Sequence, residues 1–78
     1  MAVPDEVLIE RLSAESAEFQ EMVEEHRKLG SVLDDMGQRR YLSDVENREM
    51  AVLKKMKLAL KDRIYQQVAE YRRSLVAS

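Results

Sequence analysis

The sequence contains no cysteine, so disulfides, thiolate metal sites and thiol nucleophiles are all excluded, and any stability must come from packing alone. Tryptophan is absent too, and one phenylalanine and three tyrosines leave few large anchors for a core or for stacking on bases. One proline and two glycines argue against a sheet, and no apolar run approaches the length of a membrane span. Near the start the residues are acidic (Asp5, Glu6, Glu10) where a secretory leader would be basic and then apolar, so a cytoplasmic location is expected.

What is present is a helix-forming composition. The 78 residues are 45% apolar and 36% charged and are rich in Leu, Met, Ala, Glu, Lys and Arg. A chain of this size buries only roughly 60% of the surface its unfolded form exposes, so its core is thin. The net charge of −2 hides a polarity: residues 1–36 hold ten acids and three bases, and residues 37–78 five acids and ten bases. Two helical halves folded back on each other would therefore attract, each exposed pair adding about 0.2–1 kcal/mol.

The boundaries are marked by capping chemistry. Pro4, Asp5 and Glu6 suit the opening turn of a short helix over about residues 4–14, with Leu8, Ile9 and Leu12 on its apolar face. Ser16 suits the N-cap of a second helix over about 17–36. Along it Phe19, Met22, His26, Leu29, Leu33 and Met36 recur in steps of three and four, a heptad seam broadened by Val23. Gly37 is expected to end that helix in the left-handed conformation. Ser43-Asp44-Val45-Glu46 is a capping box that opens a third helix over about 44–75.

The inward stripe of the third helix is expected to be Leu53, Met56, Leu60, Ile64, Val68, Tyr71 and Leu75. The predicted fold is thus all-α, a single domain over residues 1–78: an antiparallel helical hairpin with the short N-terminal helix packed on the overhang of the long C-terminal one. The register predicted places Leu33 near residues 49–53, His26 near 53–56 and Phe19 near 60–64. A second stripe, Ala51, Leu58, Tyr65, Ala69 and Val76, falls within about 40° and roughly 140° from the first. One hairpin cannot cover both, so this outer stripe either borders the core or forms an interface with a second copy or a partner helix.

No catalytic, cofactor-binding or metal-ligating set stands out, so no enzyme, no cofactor and no small-molecule substrate are expected. His26 is the lone imidazole, with no second histidine to share a metal, and reads as a core or boundary residue bonding across the hairpin. Glu18, Glu21, Glu24 and Glu25 lack the spacing and central glycine of a calcium loop and read as a wet helix face. Lys54, Lys57 and Lys61, with Arg39 and Arg40, form the alternative: a basic track for weak nucleic-acid binding. Bridges from these lysines to the acidic second helix are the favoured reading.

Two segments carry a family likeness. Arg11-Leu12 through Phe19 to Glu25-His26-Arg27-Lys28-Leu29, and Leu53-Lys54-Lys55-Met56-Lys57-Leu58-Ala59-Leu60-Lys61-Asp62, resemble signatures of the YdcH-like family of small bacterial proteins of unknown function. The likeness runs from about Pro4 to Val68. It implies a helical hairpin and a bacterial cytoplasmic origin, and no reaction.

Overall fold

A computed structural model describes residues 3–77 and contains three helices: α1 (Asp5–Glu15), α2 (Ala17–Gly37) and α3 (Asp44–Ala77). No strand occurs among the described residues. At about 1.5 Å per residue the 34 residues of α3 extend about 51 Å, close to the 53 Å longest dimension of the whole molecule. It is the spine on which the other two helices pack.

α2 and α3 start where side chains supply partners for the first free amides. Ser16 adopts an extended backbone (φ −134°, ψ 117°), closing α1 and opening α2, and its Oγ accepts from the Phe19 amide at 3.2 Å. Ser43 Oγ accepts from the Glu46 amide at 3.1 Å, and Glu46 Oε1 accepts from the Ser43 amide at 3.2 Å, the reciprocal pair of a capping box. These bonds, together with Arg39 beside it, hold the Glu46 carboxyl below its ordinary range. α1 begins without a side-chain cap, the Pro4 carbonyl accepting from the Val7 and Leu8 amides at 3.1 and 3.4 Å.

Gly37 departs from expectation. No glycine among the described residues has a positive φ. α2 ends instead by tightening: the Gln38 amide reaches the carbonyls of Asp34 and Asp35, and the Arg39 amide that of Met36, so the last turn closes in 3₁₀ fashion. Nothing lies within 4 Å of a Cβ placed on Gly37. Gly37→Ala is therefore expected to raise stability by up to about 1 kcal/mol, through better helix propensity, and to move the urea midpoint upward. A left-handed glycine would have given the opposite sign.

Leu8, Phe19, Ile64 and Val68 are buried together where the three helices meet, flanked by Val3, Ile9, Leu12, Met22, Val23 and Tyr71. Leu29, Leu33 and Met36 continue the buried seam along α2 toward the loop. α1 does pack on the overhang of α3, and Asp5 Oδ1 accepts from the Arg72 guanidinium at 2.5 Å. The register near the loop is close to that expected, with Leu33 beside Met50, Lys54 and Lys57. Farther out it runs about one turn longer than predicted. His26 lies against Lys61 and Ile64, and Phe19 against Ile64 and Val68, because antiparallel helices of equal rise keep a constant offset along their length.

Two members of the predicted inward stripe are misplaced. Met56 is 43% exposed and Leu75 41% exposed. The inward position near Met56 is taken by the half-buried Lys57, which completes the steps Leu53, Lys57, Leu60, Ile64. A Cβ on Gly30 would stand 3.7 Å from Lys57 Cε and Nζ, an ordinary contact distance, so the end of the lysine side chain lies beside the glycine. A long basic side chain can fill an inward site at the rim of a thin core, and apolar periodicity does not reveal it.

Candidate functional site

The outer stripe of α3 remains uncovered by the fold. Leu58 is 59% exposed, Tyr65 44% and Val76 82%, and Ala51 and Ala69 are exposed as well. At its inner margin the stripe touches the packed helices. Leu58 shares a groove with Leu33, Met50, Lys54, Lys57 and Lys61, and Tyr65 borders a small cavity. Leu58 and Tyr65 thus border the core and still present much of their surface to solvent, so the two readings of the stripe are not exclusive.

That cavity, about 90 Å³, is lined by Ile9 of α1, Val23 and His26 of α2, and Lys61, Ile64 and Tyr65 of α3. The expected hydrogen bond across the hairpin is not made by His26 Nε2, which is buried without a partner. Burial, then the Lys57 and Lys61 ammonium groups, depress the imidazole pKa below its ordinary value of 6.5. An imidazole so placed is neutral at pH 7. Among the described residues there is no cluster of three or more His, Asp or Glu able to hold a metal ion.

The basic residues are divided. Lys54, Lys57 and Lys61 line one groove, but Asp34 lines it too. Arg39 is engaged by Glu46, while Arg40 lies exposed in the loop. The expected bridges from these lysines to α2 do not form: among the described residues the ion pairs are Arg27 with Glu24, Arg39 with Glu46, and Arg72 with Asp5. The opposite polarity of the two halves therefore acts as a diffuse attraction, and among the described residues Arg72 with Asp5 is the ion pair that joins them directly. The acidic face of Gln20, Glu21, Glu24, Glu25 and Lys28 forms an open, solvated groove.

One surface has no counterpart in the sequence reading. Val45, Arg48, Glu49, Val52 and Leu53 line a shallow groove at the loop end of α3, with Val45 and Val52 both exposed. Met56 lies on the same side of the helix, one turn beyond Val52. The signal was available in the seven- and four-residue spacing of Val45, Val52 and Met56, and it was obscured by assigning Met56 to the core.

No helix among the described residues is long and apolar enough to cross a membrane. No curated protein and no solved structure matches the chain. A family match begins at Phe19 and ends at Val68, two residues that meet in the core. It encloses the α2–α3 hairpin and leaves α1 and the end of α3 outside. The match spans more than half of the chain and agrees with the YdcH-like resemblance: this chain belongs to the family described as protein of unknown function (DUF465), whose model matches residues 19–68.

Proposed function

We propose that the protein is a non-enzymatic interaction module that self-associates through the outer stripe of α3. The observation that carries this reading is the continuous exposure of Leu58, Tyr65, Ala69 and Val76 on a helix whose opposite face is already packed. Scattered exposed apolar residues are ordinary, but here they recur at helical spacing along one line. A core with only two fully buried large side chains among the described residues, Phe19 and Leu8, adds a physical motive. Pairing with a second copy removes more apolar surface from water without any disulfide or metal.

Sedimentation at micromolar concentration tests the reading. The wild-type chain is expected to run as a dimer or higher assembly, and Leu58→Glu as a monomer with unchanged helix content. A wild-type chain that is strictly monomeric would remove self-association as its function.

A further inference from the structure

We propose that the groove between α2 and α3 on the loop side of α1, lined by Leu33, Met50, Lys54, Lys57, Leu58 and Lys61, docks an acidic amphipathic helix of a partner protein. Leu58 stands at the edge between this groove and the outer stripe, and the other five residues lie on the side of the hairpin that α1 shares. The same groove already holds a helix of this kind farther along. α1 carries four acids and one base, buries Leu8 against Phe19, Ile64 and Val68, and bonds Arg72 through Asp5.

The two halves of the groove form one lane. At about 100° per residue Tyr65, Lys61, Leu58 and Lys54 fall within about 60° along one side of α3, and Val23, Gly30 and Asp34 within about 40° along one side of α2. Ile9 of α1 shares a cavity with Val23, Lys61 and Tyr65, at one end of these rows. Asp34, Leu58 and Lys54 line the other end, and Lys61 is common to both. α1 leaves only about 90 Å³ in its half, whereas about 380 Å³ stays open in the other. Gly30, with no side chain, keeps the α2 wall low where the end of Lys57 lies beside it.

Charge specifies the occupant. Three lysines line the open half against one aspartate, and none of the three makes an ion pair among the described residues. Leu33, Met50 and Leu58 supply an apolar floor between them. An apolar floor with a cationic rim matches a helix whose leucine stripe is flanked by carboxylates, the apolar contact giving affinity and the charges selecting the partner.

The probe is a synthetic peptide of about 18 residues, with leucines at i, i+4 and i+7 and glutamates on both flanks of that stripe. Titrated into the full chain, it is expected to bind with a micromolar Kd and to shift the backbone amides of Leu33, Met50 and Leu58. A control peptide with lysine in place of each glutamate is expected to bind at least about tenfold more weakly. Gly30→Leu sets a side chain in the lane without altering charge, and is expected to weaken binding of the acidic peptide about tenfold or more with helix content retained. Lys54→Glu combined with Lys61→Glu is expected to do the same through charge. Equal affinity for the two peptides, undiminished binding to Gly30→Leu, shifts centred on Val45 and Val52, or no binding at millimolar peptide each overturns the proposal. Sedimentation of wild type and Gly30→Leu without peptide reads self-association separately. If Gly30→Leu abolishes it, the groove seats a second copy and the partner helix is overturned.

Discussion

Phe19→Ala is expected to unfold a large fraction of the protein near 37 °C, the largest effect of any single truncation. Phe19 is fully buried, at the point where α1, α2 and α3 meet, and its neighbours Leu8, Ile64 and Val68 come from the other two helices. Removing a buried phenyl ring costs about 3–5 kcal/mol, the lost transfer energy plus the cavity left behind. A chain of this length has a total stability of only about 4–12 kcal/mol. No redundant core elsewhere absorbs the loss, since Leu29, Leu33 and Met36 form a single seam at the other end of α2. Met56→Ala is the informative control. With close to half of that side chain already in water, its truncation is expected to cost under about 1 kcal/mol. Urea denaturation followed by far-UV circular dichroism separates the two, and equal losses would contradict the packing of α3.

The second large effect is on pH dependence and centres on His26. Its Nε2 is buried and unpartnered, and Lys57 and Lys61 stand near it, so the folded state holds the imidazole below the unfolded value of 6.5. Below that value the unfolded chain binds the proton more readily than the folded one. The stabilisation is therefore fully present above about pH 6.5, and it is lost as the pH falls from there through the depressed folded-state value. Denaturant midpoints measured from pH 7.5 to 5 are expected to fall steadily. His26→Leu is expected to flatten that slope. It is also expected to stabilise the protein at pH 7 by about 1 kcal/mol, because an apolar side chain leaves no buried nitrogen without a partner. An unchanged slope in His26→Leu would place the acid sensitivity elsewhere, and not at Glu46, whose carboxyl is held below 4.5 and loses its contribution only as the pH falls through that lower range.

The readings that succeeded from sequence were local ones. Ser16 and the Ser43–Glu46 box act through atoms three residues apart, so the chain segment that contains them also contains their partners. The seam from Phe19 to Met36 was legible for a similar reason, because the pitch of a helix alone sets which of its residues share a face. Gly37 was misread because two endings, a left-handed glycine and a tightened last turn, are both open to the same residues. What the following chain must do decides between them.

The outer stripe lies between these cases. Its spacing was visible in the sequence, and its exposure depended on where α1 comes to rest. The basic track shows the same limit more sharply. Lys54, Lys57 and Lys61 follow helical spacing, yet only the approach of α2 showed that Lys57 lies against Gly30 and that Asp34 shares their groove.

The sequence by itself determined the helical class, the positions of the breaks and caps, and the face of α2 that turns inward. These depend on backbone propensity, on hydrogen bonds a few residues long and on a fixed periodicity. Only the tertiary structure decided the register of α2 on α3, the substitution of Lys57 for Met56 at the inward face, the unpartnered nitrogen of His26 and the exposure of the outer stripe. Those features depend on which surfaces meet across the bundle, and contacts between residues distant in the chain leave no periodic mark on either segment alone.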